Sequence, residues 1–521
     1  MATTARRIDA TARGVALATL LIALGTLASR ALGLVRVMAI ASFFGRGPGV
    51  EAYTAAWTVP TIVYDMLISG IASAALVPVL SEYAEGGGRE FARVVSSVFG
   101  LALPGLGLLA GLLAWQAPLA ARLLVRSSRP ELLAQTAQMV RLLLPAVLLM
   151  GMAGLATAVL YARRAFLLPA CAGAILNAGI ILGIVLLHGQ LGVASIAVGA
   201  LIGALGQLAL QAPGLRGLGF QPALGLRHPA VRRVLRLSWP AVLGMALLLI
   251  GTLIDRWLAS GFPAALATMQ YATTLVQFPL GLVAAAVGLA VLPTLSRQAA
   301  GADETAFRRT LGMGLKLVLL LVVPAVAGLA ALAGPITALL FERGAFAATD
   351  TVATATALLC YLPGLPATAV AQILIFAFYA RQNTLRPNLA QGVAIVIYLL
   401  AALPLLWLTH LGFLALVLGN SAQWIGHMLL LLLLLRRDVP LRGLGLGEAL
   451  GKSLLAGGLM AAAIVAIARV LPGGIPLVQI GVAGGLGALI YLAACVALRV
   501  EALEFFAQAL RARFSSDGSQ G

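Results

Sequence analysis

Four charged residues, Arg30, Arg36, Glu51 and Asp65, lie in or near apolar sequence within the stretch 29–81. The stretch predicts two apolar helices joined by a short Gly/Pro loop. A charge at bilayer depth costs about 2.5–3.5 kcal/mol on insertion scales, so it usually faces a protein interior or a water-filled cavity. Guanidinium groups bind anions such as phosphate. The pattern predicts a polar compartment inside a membrane bundle. A structural Arg30–Glu51 pair or snorkelling at the helix ends is the alternative.

The composition is typical of a membrane protein. Of the 521 residues, 61% are hydrophobic and 10% are charged, and runs of about 20 apolar residues recur along the chain. The net charge of +18 would suggest nucleic acid in a soluble protein. Here the basic residues lie mainly in short connections between apolar runs, which indicates orientation in a membrane instead. The three cysteines and four histidines are scattered and predict neither a disulfide framework nor a metal site.

Apolar windows predict an all-α polytopic membrane protein with about fourteen transmembrane helices. They lie at 15–44, 51–83, 91–121, 131–161, 165–188, 190–212, 229–259, 264–297, 305–333, 350–380, 386–408, 411–435, 448–470 and 475–498. Basic residues accumulate on one side of these spans, which predicts that both termini are cytoplasmic. The first apolar run resembles a signal peptide, but the many spans that follow favour a retained first helix.

The chain also repeats itself. Segment 75–104 is similar to 290–324, since in both a Pro-x-Leu-Ser helix end is followed by a polar turn and Phe-x-Arg. Tyr161-Ala-Arg-Arg and Tyr379-Ala-Arg-Gln form a second echo, and both echoes are offset by about 215–218 residues. Six spans with both ends on one side must repeat in parallel. Two parallel six-helix lobes are typical of transporters; a static scaffold that arose by duplication is the alternative.

The spans divide the chain into five regions. We predict an N-terminal lobe at 1–212, a cytoplasmic linker at 213–230 and a C-terminal lobe at 231–436. The thirteenth and fourteenth spans occupy 437–499 and have almost no polar residues, which favours a lipid-facing addition or a groove for a long lipid tail. The cytoplasmic tail, 500–521, predicts a short amphipathic helix followed by disorder.

Three motifs carry a resemblance to a known family. They are Ser29-Arg30-x-Leu-Gly-x-x-Arg36 continuing through Glu51-Ala-Tyr to Val77-Pro78, Asp255-Arg256-x-Leu-Ala-Ser-Gly261 continuing to Leu292-Pro-x-Leu-Ser296, and Phe378-Tyr-Ala-Arg-Gln382. With this ordered set over nearly its whole length, the chain resembles the MurJ (MviN) lipid II flippases of the MOP exporter superfamily. The resemblance implies a protein of the bacterial inner membrane that moves undecaprenyl-pyrophosphate-linked disaccharide pentapeptide to the outer leaflet, in peptidoglycan synthesis, cell wall biogenesis and cell shape.

The resemblance also assigns residues. Arg30 and Arg36 match the family's cavity arginines, and Glu51 stands where Asp is usual. Departures occur where many members have further cavity charges. Tyr64-Asp65 replaces an arginine pair, Ser69 replaces Glu, Thr273-Thr274 replaces Asp/Asn-Arg, and Gln277 replaces Glu. The cavity is therefore predicted to be less cationic than the family pattern, with Arg256 compensating from the seventh span or pairing with Asp255.

The predicted substrate-binding set is Arg30, Arg36, Glu51, Asp65, Arg256 and Gln277. Because translocation breaks no covalent bond, we predict a transporter without catalytic residues, metal or cofactor. No nucleotide-binding Gly-rich motif is present, so a monovalent cation gradient or the membrane potential is the expected energy source. The expected partners are the membrane, the lipid-linked glycan and other cell-wall synthesis proteins, and not nucleic acid.

Other functions fit the sequence less well. A flippase for another polyprenyl-linked saccharide, or a cation-coupled exporter of the same superfamily, keeps the fold and changes the cargo. A membrane scaffold is a further alternative. A membrane glycosyltransferase would need large extramembrane domains or an acidic metal-binding motif, and the sequence has neither.

Overall fold

The computed structural model describes residues 25–86, 88–126, 129–219, 225, 228–471 and 475–505. These residues form helices and connecting turns, and none of them lies in a β-strand. The prediction of an all-α protein is confirmed. The first 24 residues, which carry the signal-peptide alternative, lie outside the described residues, as does the tail from 506 onward.

By its internal packing the chain forms two compact units. The first unit is Met1–Ala267 together with Arg343–Phe346, and the second is Thr268–Glu342 together with Ala347–Gly521. This division places the helix over 229–259 in the first unit, whereas the sequence repeat assigns it to the second lobe. The lobe boundaries at 212 and 231 are drawn from sequence similarity, which is a different criterion, and they stay a prediction.

Ten helices lie wholly in the first unit. They are α1 (Gly25–Phe44), α2 (Pro48–Ala56), α3 (Thr58–Asp65), α4 (Val77–Gly86), α5 (Gly88–Trp115), α6 (Ala117–Leu124), α7 (Pro130–Ala162), α8 (Leu167–Leu191), α9 (Ala194–Gln211) and α10 (Pro229–Ala259). A π-helical segment, Met66–Leu76, joins α3 to α4, and a 3₁₀ turn, Ala212–Leu215, follows α9.

The second unit contains the rest of the helices. They are α11 (Ala265–Ala300), which begins in the first unit, α12 (Glu304–Ala331), α13 (Ala333–Phe341), α14 (Ala348–Tyr361), α15 (Leu365–Ala380), α16 (Leu385–Leu408), α17 (Leu414–Leu435), α18 (Leu446–Val470), α19 (Pro476–Val478) and α20 (Gly485–Ala497). A 3₁₀ turn, Leu362–Gly364, links α14 to α15, and a π-helical segment, Gln479–Gly484, precedes α20.

Twelve helical segments of the described chain are long and apolar enough to cross a membrane. They coincide with twelve of the predicted spans, so the prediction of a polytopic membrane protein is confirmed. The two remaining predicted spans, 229–259 and 264–297, coincide with α10 and α11, which have 31 and 36 residues. These two are not among the twelve, and the count of fourteen stays a prediction.

Helix α7 is the centre of the first unit. Its most apolar window is 78% buried, the largest share among the twelve segments. Helices α8 and α9 pack backbone to backbone through paired glycines: a Cβ on Gly179 would lie 2.3 Å from the Gly203 Cα, and one on Gly183 equally close to the Gly199 Cα. Within each helix the two glycines are four residues apart, Gly179 and Gly183 in α8 and Gly199 and Gly203 in α9. This small-xxx-small spacing lets membrane helices approach closely.

The predicted thirteenth and fourteenth spans, α18 and α20, pack on α12 in the second unit. Met460, Ile464 and Cys495 form an apolar cluster with Leu320 of α12. The Tyr491 hydroxyl donates to the Leu320 carbonyl oxygen at 2.8 Å, because a buried phenol needs a partner where no water reaches it. The lipid-tail groove predicted for these spans is not tested by this packing and stays a prediction.

The second sequence echo adopts the same backbone in both units. After α7 the Ala165 N–H donates to the Leu160 carbonyl oxygen at 2.8 Å, and after α15 the Asn383 N–H donates to the Phe378 carbonyl oxygen at 2.9 Å. The residue before each donor is left-handed, with φ of 59° at Arg164 and 57° at Gln382. Both helices therefore end in the same Schellman-type cap.

Candidate substrate site in the first unit

Five of the six predicted site residues belong to the first unit, and the sixth, Gln277, belongs to the second. Arg30 is exposed on α1, and no described residue pairs with its side chain. Arg36, Asp65 and Arg256 are half-buried. Gln277 is exposed on α11. The first unit therefore contains the charged members of the set, and the contacts of each decide what it is able to bind.

Arg256 is held against the junction of α2 and α3. Its Nη1 donates to the Thr54 carbonyl oxygen at 2.6 Å and to Thr58 Oγ1 at 2.9 Å. Thr54 lies in the last turn of α2, where the helix dipole is negative and favours a cation. The guanidinium group is therefore positioned by α2 and α3 in addition to its own helix, α10.

Arg36 reaches the same junction from α1. Its guanidinium carbon lies 5.8 Å from the centre of the Trp57 ring, a cation–π contact. Its Nε is buried and has no hydrogen-bond partner among the described residues. A buried donor without a partner costs about 1–3 kcal/mol. Arg36 thus has a donor that an incoming anion would satisfy.

Three polar positions share one face of α2 and α3. Glu51, Thr58 and Asp65 are seven residues apart, which is two turns with a drift of about 20°. The intervening Trp57 keeps helical dihedrals, φ −60° and ψ −18°, so the face continues across the junction. Carboxylates lie at its two ends and the Arg256 contact lies between them. Asp65 directly precedes the π-helical segment Met66–Leu76, a conformation that is frequent at functional sites.

Glu51 is almost completely buried, with 1% of its surface exposed. Its carboxylate faces the backbone N–H groups over 264–266, where α11 begins. Arg129 Nη2 lies 3.6 Å from its Oε2. A carboxylate at a helix N-terminus is favourable because the N–H groups point toward it. Its ion-pair partner is therefore Arg129 and not Arg30, and its role in binding substrate stays a prediction.

Two further polar contacts surround the start of α11. The Arg126 N–H donates to Ser260 Oγ at 2.6 Å, and the Arg126 guanidinium lies 5.2 Å from the Trp257 ring centre. With Glu51 and Arg129 these residues tie the α6–α7 connection to the end of α10. They stabilise the end of the first unit at which α2 begins.

Thr54, Trp57 and Thr58, which contact the two arginines, are not among the residues that the sequence predicts. Positions 54, 57 and 58 do fall on adjacent turns of one helix face. Uncharged Thr and Trp are common in membrane helices, so this spacing alone does not indicate a site. Within the described residues, no group of three or more His, Cys, Asp or Glu side chains is arranged to hold a metal ion.

The described helices define an all-α polytopic membrane protein. A solved structure titled as the inward-facing conformation of a multidrug resistance MATE family transporter of the MOP superfamily superposes with a TM-score of 0.65. It is 14% identical and covers 81% of this chain and 95% of its own. A second solved structure is titled Lipid II flippase MurJ, inward closed conformation. It superposes with a TM-score of 0.80, is 24% identical, and covers 92% of this chain and 99% of its own.

The sequence comparisons resolve the family. Residues 40–477 match the family described as Lipid II flippase MurJ. The chain is 32% identical over 387 residues to the Lipid II flippase MurJ of Burkholderia cenocepacia, which is 71% of this chain and 74% of that protein. It is 29% identical over 455 residues to the probable lipid II flippase MurJ of Rhizobium meliloti, 84% of each chain. The chain belongs to the MurJ family, and it is a multi-pass membrane protein.

Proposed function

We propose that this chain is a transporter and not an enzyme, and that it moves lipid II, the polyprenyl-pyrophosphate-linked peptidoglycan precursor, from the inner to the outer leaflet of the bacterial inner membrane. The observation that carries the proposal is that two half-buried arginines, Arg36 and Arg256, each contact residues of the α2–α3 junction. Membership of the MurJ family supports the choice of cargo.

The pyrophosphate is the part of the cargo that these residues bind. Arginine presents a planar fork of N–H groups that pairs with phosphate oxygens and keeps its charge at any physiological pH. Arg36 offers its unpartnered Nε. Arg256 exchanges its bonds to Thr54 and Thr58 for phosphate oxygens, so the threonines hold its fork in position while the site is empty. The polyprenyl tail stays in the lipid throughout.

Translocation follows an alternating-access cycle. The headgroup enters from the inner leaflet, binds the arginines, and leaves on the opposite side after the helices rearrange. No bond in the substrate breaks. Because the sequence has no nucleotide-binding Gly-rich motif, the energy comes from a monovalent cation gradient, the membrane potential or consumption of the substrate outside. Both termini are cytoplasmic in this scheme, as the distribution of basic loops indicates, and other cell-wall synthesis proteins supply and consume the cargo.

A second cargo of the same kind is favoured by one observation. Tyr64-Asp65 stands where the resemblance leads us to expect an arginine pair, and Thr274 stands where it leads us to expect a further arginine, so this chain offers fewer cations to a pyrophosphate. A polyprenyl-linked saccharide with a different headgroup keeps the same mechanism. A cation-coupled exporter is a weaker candidate, because half-buried arginines repel cationic cargo.

Complementation tests the proposal. Cells depleted of their own lipid II flippase receive the parent chain, the Arg36→Ala variant or the exposed loop variant Arg437→Ala, each at equal membrane level. We expect rescue by the parent and by Arg437→Ala and loss of rescue with Arg36→Ala. Failure of a well-inserted parent would transfer the proposal to another polyprenyl-linked saccharide. Full rescue by Arg36→Ala would remove this arginine from the transport mechanism.

A further inference from the structure

A basic pocket lies in the second unit, apart from the site described above. It has a volume of about 330 Å³ and lies beside the first three turns of α12. Its lining consists of Thr305, Arg308, Arg309, Gly312, Met313, Lys316, Gly443, Leu444 and Glu501. Three cations and one carboxylate give the lining a net charge of +2, so its electrostatic preference is for an anion.

The spacing on α12 builds the cationic wall. Thr305, Arg309, Gly312 and Lys316 follow at intervals of four, three and four residues, so they share one helix face. Side chains on a helix lean toward its N-terminus. Lys316, about 18 Å along the helix from Glu304, therefore extends back toward the two arginines and brings its charge to the same end of the helix.

The α17–α18 connection closes the pocket from the other side. Gly443 and Gly445 both have left-handed backbones, with φ of 79° and 66°, a conformation that residues with a Cβ rarely adopt. Arg308 Nη2 donates to the Arg442 carbonyl oxygen in this connection. Leu444 lies over Gly312, where an added Cβ would come within 2.9 Å of its Cδ2. The loop is thus fixed close to the cations without covering them.

The charges inside the pocket are only partly compensated. Lys316 is 9% exposed and pairs with the carboxylate of Glu501, in the segment after α20. Arg308 Nε is buried and has no hydrogen-bond partner among the described residues. Arg309 is exposed. Glu501 has a side chain that is 63% exposed, so it is free to turn away when a stronger anion enters.

We propose that this pocket binds a phosphate group, and that the group belongs to the headgroup of an anionic glycerophospholipid. Helices α12 and α18 are both long and apolar enough to span the membrane. The pocket is lined by residues near the first turns of α12 and just before α18, and the ends of membrane-spanning helices lie near the lipid headgroups. Met313 and Leu444 give the cationic site an apolar wall, which suits a glycerol backbone better than a fully hydrated ion. Basic pockets between membrane helices on the predicted cytoplasmic side are suited to such headgroups.

Lipid binding to the full-length protein tests the proposal. The protein in neutral detergent is titrated with phosphatidylglycerol, with phosphatidylcholine, and with inorganic phosphate, and bound lipid is counted by native mass spectrometry. Arg309→Gln removes an exposed cation of the pocket, Glu501→Gln removes the internal competitor, and Arg437→Gln is a matched control in an exposed loop on the same predicted side. Thermal melting of each variant verifies that the fold is intact.

We expect phosphatidylglycerol to bind in preference to phosphatidylcholine. Arg309→Gln should weaken this binding about five-fold, as expected for one cation near the membrane surface; Glu501→Gln should strengthen it, and Arg437→Gln should leave it unchanged. Binding of inorganic phosphate without any preference for phosphatidylglycerol over phosphatidylcholine would overturn the lipid source while keeping the phosphate site. Equal binding by Arg309→Gln and Arg437→Gln would overturn the site itself.

Discussion

The charged side chains of the two units differ in what they contact. In the first unit Arg36 and Arg256 are half-buried and contact an aromatic ring, a carbonyl oxygen and a hydroxyl group at the α2–α3 junction. In the second unit the ion pairs Arg381–Glu304 and Arg386–Asp438 join residues at or next to helix ends. Pairs at exposed ends contribute about 0–1 kcal/mol, whereas charges at membrane depth are costly and mark functional positions. We therefore propose that substrate binds in the first unit, whereas these pairs in the second unit anchor helix ends.

The largest expected effect separates the two classes of arginine. Arg256→Met removes a half-buried cation and its hydrogen bonds to Thr54 and Thr58, so we expect transport of a labelled lipid II analogue in vesicles to fall on the order of 10- to 100-fold, the equivalent of one lost charged hydrogen bond. Arg386→Met, at a helix end in the second unit, is the matched control and should keep most of the activity. Equal losses in the two variants would contradict the contrast between the units.

A second prediction concerns the glycine-packed helices of the first unit. Gly199→Leu forces a side chain against the backbone of α8, where an added Cβ already lies 2.7 Å from the Ile180 carbonyl oxygen. Overpacking typically costs about 1–3 kcal/mol of stability, and more where the backbone cannot shift. The apparent melting temperature should therefore fall clearly. Gly189→Leu on α8, where an added Cβ meets nothing within 4 Å, should melt like the parent.

Glu51 distinguishes a structural charge from a functional one. Glu51→Leu removes the carboxylate from the N-terminus of α11 and leaves Arg129 without it, so we expect a loss of about 1–2 kcal/mol in the free energy of unfolding. The matched control is Glu131→Leu, an exposed carboxylate in the first turn of α7, which should change stability less. An unchanged melting temperature for Glu51→Leu would show that the buried carboxylate does not stabilise the fold.

Thr58 tests whether Arg256 is positioned by its neighbours. Thr58→Val keeps the shape of the side chain but removes one of the two hydrogen bonds to the guanidinium group. We expect transport to fall roughly two- to ten-fold, in line with one hydrogen bond of about 0.5–1.5 kcal/mol. Thr61→Val is the control, because the Thr61 hydroxyl bonds only within its own helix, to the Trp57 carbonyl oxygen at 2.9 Å. The idea fails if both variants transport equally.

The smallest effect is expected at an exposed pair in the first unit. Arg233 donates two hydrogen bonds to Glu82, of 2.6 and 3.0 Å, but more than half of each side chain is exposed. Exposed pairs are screened by water and salt. The double variant Arg233→Gln, Glu82→Gln should therefore match the parent in both melting temperature and transport. A clear loss would show that helix-end pairs matter as much as membrane-depth charges.

The sequence by itself determined the helical membrane fold. A hydrophobic run long enough to cross a bilayer forms a helix, because a helix pairs its backbone N–H and C=O groups within the segment. It also predicted the echo at Tyr161 and Tyr379, which folds into the same helix cap in both units. Local chemistry explains both successes, since span length and cap sequence are readable from neighbouring residues.

Only the tertiary structure decided what each charge contacts. The sequence placed Glu51 with the cargo-binding residues, but packing brings the start of α11 and Arg129 to its carboxylate. Arg256 contacts residues about 200 positions away, and the basic pocket joins three segments distant in sequence. Such contacts depend on how helices pack, and helix packing is set by the fit of many side chains at once, which the periodicity of any one helix does not contain.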